Sequence, residues 1–339
     1  MLNPHLYQTV LLPRLSLLIC LLFAHIPDTQ ANDYSPIAAS NMNPFSISHE
    51  PLAAQLWQPQ SSAPYSLNLQ VEMANFSIQS DKGSEKIILD GEAYKTTLSL
   101  SYAFSERITG QLSLPYIHYS SGLLDNTIEQ WHDAFGLSNA RRSDFASNRL
   151  HIEYLDNGVS VINIVQGSDG PGDMRLGLAY RLTRSTQANP AVSLNLTLKL
   201  PSGDPDRLTG NGATDWGISL HALQADLGPH ATLALVGGLG LSLLGPGEIL
   251  AARQNDHNVA AYAGLHWTPL PRWQFSTRLQ LQSASYHSEL DELGKTSTQL
   301  LIGGRYRTAS DVYYQLAFGE NLYTDATPDF SLHFSIDSR

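Results

Sequence analysis

The chain of 339 residues has one cysteine, Cys20, and only five lysines. Cys20 lies inside LSLLICLLFA, an apolar run at residues 15–24 with Arg14 ahead of it and IPDTQA behind it. A basic residue, a short apolar core and small residues, in that order, form the pattern of a secretory signal peptide. The run is too short to cross a bilayer as a helix. Residues 1–31 are therefore expected to be a signal peptide cleaved after Ala31, and Ile19, where a lipobox needs Gly or Ala, argues against lipid attachment at Cys20. The exported chain then has no cysteine, so no disulfide framework holds it. Burial or a closed hydrogen-bond network must do so instead.

Other absences narrow the function. Lys and Arg total 20 against 31 Asp and Glu, for a net charge of −11, and no basic block occurs, so nucleic-acid binding has no support. Beyond the signal there is no run of 18 apolar residues, which excludes a membrane-spanning helix. Long helical periodicities are missing as well. The patterns H-E-x-x-H and G-x-S-x-G and the phosphate-binding glycine pattern do not appear. His118, His221, His266, His287 and His333 are scattered without ligand spacing. The expectation is a protein that is not an enzyme, with no cofactor and no metal.

What the chain has is alternation. In VSLNLTLKLP, residues 192–201, Val192, Leu194, Leu196, Leu198 and Leu200 alternate with Ser193, Asn195, Thr197 and Lys199. Only an extended strand turns a period of two into one aliphatic and one polar face. The pattern recurs at 65–73, 94–104, 108–116, 174–182, 216–220, 233–243, 259–267, 273–281, 300–306, 312–318 and 330–336, which makes twelve strands with this one. Connectors at 105–107, 184–189, 225–230, 269–272 and 308–311 are short. Those at 79–93, 119–172, 201–213, 244–257, 287–295 and 320–328 are long. Tight turns at one end and long loops at the other mark an outer-membrane barrel. Trp267, Trp273, Tyr306 and Tyr314 flank short turns, and Tyr116, Trp216 and Phe330 fall near the opposite rim, the two depths that amphipathic rings prefer.

The predicted fold is all-β: a transmembrane antiparallel up-and-down β-barrel of twelve strands over residues 65–339. The leucine face of 192–200 then meets lipid and the polar face meets the lumen. Residues 32–64 do not alternate and are either a periplasmic extension or a plug. The long loop 119–172 contains DNTIEQWHDAFGLSNARR, where Asn126 and Glu129 can cap a short helix. Ile128, Trp131 and Phe135 share one face of it, which suits a constriction or plug at the barrel mouth. His132 and Asp133 are adjacent on that helix and diverge, so they form no oriented acid–base pair. A hairpin over 149–164 turns at Asn157-Gly158. If it spans the membrane, the barrel has fourteen strands.

NPF at 43–45, WHDAFGLSNARR at 131–142, GDMRLGLAY at 172–180, LKLPSGD at 198–204 and LTGNGATDW at 208–216 carry a resemblance. With these the chain resembles a family of Gram-negative outer-membrane proteins known only as a domain of unknown function. It is more distantly similar to barrels encoded with phenol meta-cleavage pathways. The resemblance implies an outer-membrane barrel of no known activity. It also implies that the GDMRLGLAY strand follows a long external loop, which favours twelve strands. Barrels of this kind usually end on an aromatic residue, whereas here DFSLHFSI is followed by Asp337-Ser338-Arg339.

Strand parity places Lys95, Arg175, Arg181, Lys199, Arg278 and Arg305 in the lumen against Glu72 and Asp215, while the loops carry mainly acids. A basic wall below an acidic rim focuses anions. The same cations can instead pair with carboxylates and brace a plug. Two readings follow: a channel for small solutes or hydrophobic substrates with a basic lumen, or a plugged structural barrel whose external loops bind a partner. The expected partners are outer-membrane lipid and lipopolysaccharide, the barrel-assembly machinery and periplasmic chaperones during biogenesis, and a small-molecule solute.

Overall fold

A computed structural model describes residues 37, 39–49, 64–122, 149–186, 189–228, 232–323 and 325–338. The predicted signal peptide and the Ile128, Trp131 and Phe135 face lie outside the described residues. Among the described residues there are fifteen strands: β1 (Tyr65–Lys82), β2 (Glu85–Ala103), β3 (Ile108–Ser120), β4 (His151–Asp156), β5 (Val159–Ile164), β6 (Ser168–Pro171), β7 (Met174–Thr183), β8 (Ala191–Leu200), β9 (Asp215–Leu227), β10 (Leu233–Leu243), β11 (His257–Leu270), β12 (Trp273–Gln282), β13 (Ser297–Arg307), β14 (Val312–Asn321) and β15 (Phe330–Ser338).

Twelve of them close into a ring. β1 pairs with β2 and β15, β2 with β3, β3 with β7, and β7 through β15 follow in order, every pair antiparallel. Closure leaves no free edge in the ring, so each ring strand is paired on both sides. β4 and β5 form the Asn157-Gly158 hairpin, with φ of 51° and 76° at the turn, and β4 pairs only with the outer end of β2. β6 pairs with the outer end of β3. Neither adds a staff to the barrel, so the count is twelve.

The alternation becomes inside and outside as expected. On β12, Gln274, Ser276, Arg278, Gln280 and Gln282 are buried while Trp273, Phe275, Thr277, Leu279 and Leu281 are exposed. β8 does the same, with Ser193, Asn195, Thr197 and Lys199 buried and Leu196 49% exposed. Arg278, Lys95 and Lys199 are among the most deeply buried large side chains. A soluble domain of this size buries leucine and exposes lysine, so this sheet has its apolar side turned to lipid. At the short-turn end Trp273 packs on Tyr306 with ring centroids 4.9 Å apart, and at the other Phe318 meets Phe330 at 6.1 Å.

One expectation needs correcting. Residues 79–93 are not a long connector. β1 and β2 continue upright to a two-residue turn at Gly83-Ser84, where Gly83 has φ of 60°. The charges at Asp81, Lys82, Glu85 and Lys86 made the stretch look like a loop. The inner face of the two strands here, however, carries Phe76, Ile87 and Leu89, all buried. They join Met42, Phe45, Ile47, Ile117, Tyr119, Leu150, Ile152, Tyr154, Leu208, Ile249, Tyr286, Leu290 and Leu293 in one apolar cluster at the long-loop end. The barrel therefore has a second storey, built like an ordinary core, that roofs the polar lumen.

Candidate functional site

The site begins with residues that do not alternate. Ile37 and Ala39–His49 touch inward-facing side chains of β1, β2, β8, β11, β12, β13 and β14. Strands that far apart around the ring share neighbours only in the lumen, so this segment lies inside the barrel. Every described residue of 39–45 and 47–49 is buried. Its apolar side chains Met42, Phe45 and Ile47 point into the roof, and the Phe45 ring stands edge-on to Tyr154 at 6.3 Å.

Its polar groups meet three nodes. At the first, the Ser40 N–H and hydroxyl donate to the two Glu72 carboxylate oxygens at 2.7 and 2.8 Å. Lys95 Nζ donates to Ser40 Oγ at 2.7 Å and lies 3.6 Å from Glu72. His333 Nδ1 sits 2.9 Å from Glu72 on the other side, and Ser331 Oγ 2.8 Å from His333 Nε2. Serine, histidine and carboxylate stand here in the order of a nucleophile relay. β15 is paired on both sides, however, so its amides offer no oxyanion site beside Ser331. The chain of bonds serves to hold Glu72 toward Ser40.

The second node is Lys199. Its ammonium lies 3.0 Å from Asp173 and 2.8 Å from Asp215, bonds Asn211 Oδ1, and reaches the Ser48 carbonyl at 3.4 Å. Asp173 also accepts the amides of Gly203 and Asn211 at 2.9 and 3.1 Å. The β8–β9 loop that supplies these amides closes on itself backbone to backbone, since a Cβ on Gly203 would come within 2.6 Å of Gly210. Asn211 Nδ2 lies 3.1 Å from His49 Nδ1, and Asn258 donates to the His49 carbonyl at 3.3 Å. His49 stands edge-on to Tyr286 at 5.0 Å. Burial first, and Lys199 second, push its pKa down to about 3, so the ring is neutral at ordinary pH.

At the third node, Arg278 donates to the Ile37 carbonyl at 2.6 Å with its guanidinium 3.8 Å above the Tyr262 ring. Arg305 is farther toward the short-turn end, on Asp337 at 3.1 Å and over Tyr313. Asp337 is thus a lumen-facing strand residue and not a tail. Arg175 is buried on β7, and Arg181 lies half-exposed near the short-turn rim of the same strand. Of the six cations placed in the lumen by parity, Lys95, Lys199 and Arg305 hold carboxylates, two of them with the predicted Glu72 and Asp215.

Sequence reasoning missed Asp173, Asn211, Asp337 and the segment's seat. The signal for part of this was present: GDMRLGLAY, LKLPSGD and LTGNGATDW supply Asp173, Lys199, Asn211 and Asp215, so three separated motifs meet at one ammonium. Among the described residues no cluster suits a metal ion.

Residues 12–339 match the model of a family described as Protein of unknown function (DUF3187). No curated protein matches the sequence. In structure the chain is similar to an outer-membrane channel from Pseudomonas putida F1, with a TM-score of 0.55 at 12% identity, covering 92% of this chain and 99% of that one. That likeness shows the fold of an outer-membrane barrel. A porin crystallised with disordered oligogalacturonate, KdgM, gives 0.42 at 9% identity over 81% of this chain and 98% of its own. The Ralstonia pickettii toluene transporter TbuX gives 0.39 at 10% over 81% and 88%. Both are too distant to bear on this chain.

Proposed function

The chain belongs to the DUF3187 family of proteins of unknown function, and from that premise we propose that it is an outer-membrane channel for small solutes, closed at rest by its own residues 37–49. The observation that supports this is the kind of contact the segment makes. It is held by a few discrete polar nodes and one apolar roof, and among the described residues it forms no strand pairing with the wall. Twelve strands enclose a lumen wide enough for a small molecule once such a segment leaves. Lys95, Lys199 and Arg305 pair with carboxylates of the barrel itself, so withdrawal of the segment would leave those pairs in place and free the guanidinium of Arg278 from the Ile37 carbonyl.

The test is single-channel recording of the refolded mature protein beside a variant lacking residues 37–49, both heat-modifiable on a gel. Rare or no openings in the first and steady conductance in the second support a gated channel. A folded deletion variant that stays silent sinks it. That result would favour the alternative, a barrel whose external face binds a partner.

A further inference from the structure

We propose that Arg278, with Tyr262 beneath it, is a recognition site for the carboxylate of a small monocarboxylic acid, and that the Ile37 carbonyl occupies this site while the segment is seated. The proposal rests on the channel reading above, since a solute reaches Arg278 only when the segment withdraws.

Three observations carry it. Lys95, Lys199 and Arg305 each have a carboxylate within 4.0 Å, but Arg278 is 2% exposed and has none among the described residues. Its Nε and Nη2 find no hydrogen-bond acceptor. A buried guanidinium with one neutral acceptor and two idle nitrogens is costly unless its working partner is an anion. The planar fork suits a carboxylate, and a single positive charge matches a monoanion better than a dianion.

The surroundings are built to hold that fork still. Tyr262 OH lies 2.8 Å from His221 Nδ1, and His221 Nε2 lies 2.8 Å from Ser219 Oγ. The two rings meet across β10 because position 238 is glycine: a Cβ there would come within 2.4 Å of Tyr262 and 2.8 Å of His221. Gln280, directly opposite Tyr262 on β12, has its Oε1 unpartnered on the same lumenal face. The Ile37 carbonyl takes one guanidinium nitrogen as a carboxylate oxygen would, so the seated segment stands in for the solute.

The test uses saturation-transfer NMR on detergent-solubilised protein, with acetate as probe and acetamide as its uncharged counterpart. Acetate should bind the variant lacking residues 37–49 and not the intact protein, and acetamide should bind neither. Arg278→Gln in the deletion background should weaken acetate by about tenfold or more, with Arg278→Lys intermediate. Equal acetate binding with and without Arg278, or equal binding by intact and deleted protein, overturns the proposal. Should the deletion fail to fold, Ala317→Leu in the full chain fills the place of Ile37, which packs against Leu301 and Ala317. This variant should then bind acetate, and its failure to do so while folded also overturns the site. A deletion barrel that binds acetate but passes no current would sink the channel reading and leave the site standing.

Discussion

The two storeys of the barrel obey opposite rules. On β2 the inward positions Lys95, Thr97, Ser99 and Ser101 are polar, and their outward neighbours Leu98 and Leu100 are exposed. Farther up the same strand and on the same face, the apolar Ile87, Leu89 and Ala93 are buried. One strand changes from membrane logic to soluble logic with its inward parity kept, through a fully buried stretch at Leu89–Ala93. Below, the apolar face meets lipid and the polar face must satisfy itself inside. Above, water surrounds the strands, and the apolar residues turn inward against Phe45 and Tyr154. Residues 37–49 straddle the boundary, with Ile37 and Ser40 against Arg278 and Glu72 in the lower storey and Met42, Phe45, Ile47 and His49 against the roof in the upper. The segment is shaped by both environments and fully suited to neither alone.

Substitutions can separate the two contributions. The largest effect is expected from Lys199→Ala, which leaves Asp173 and Asp215 buried without their cation and costs about 3–5 kcal/mol. The temperature at which the protein loses its compact gel mobility should fall, and openings should become frequent. Next is Phe45→Ala, worth about 3–5 kcal/mol at full burial and less where the roof relaxes. It should raise open probability with the compact mobility unchanged, because it touches the upper storey only. Leu196→Arg acts on the lipid face and should lower barrel stability in urea by about 2–4 kcal/mol near mid-membrane, without altering gating.

The smallest effect is a pH dependence. His49 is held near a pKa of 3 when seated and returns to about 6.5 when released. A base with a lowered folded value contributes fully above pH 6.5 and loses that contribution as pH falls toward 3. At pH 5 the seat should be weaker by about 2 kcal/mol than at pH 8. Open probability measured across that range should rise on acidification. His49→Gln should flatten the His49 part of the curve.

Legibility followed the same boundary. All twelve staves could be read because lipid on one side and polar groups on the other impose a period of two. Lys199 and Glu72 could be assigned to the lumen by parity alone. The upper storey could not be read, since charged residues at 81–86 flank an apolar inner face and local composition favours a loop. Nor could the seat of residues 37–49: Ser40 meets Glu72 at 32 residues' separation and Ile37 meets Arg278 at 241. No local period encodes contacts of that range. Asp337 was hidden differently. It keeps the inward parity of Ser331, His333 and Ser335, and only the expectation that the strand stopped at Ile336 concealed it.

The bond between His333 and Glu72 crosses the seam where the last strand meets the first. His333 reaches Glu72 only after that seam has zipped, so the set of groups that presents Glu72 to Ser40 is complete only then. The segment that precedes every strand is thus among the last parts able to settle, and an incompletely stitched cylinder has no finished berth for it. Occupancy of the berth then reports completed assembly, and prying β1 from β15 would loosen one of its three polar anchors.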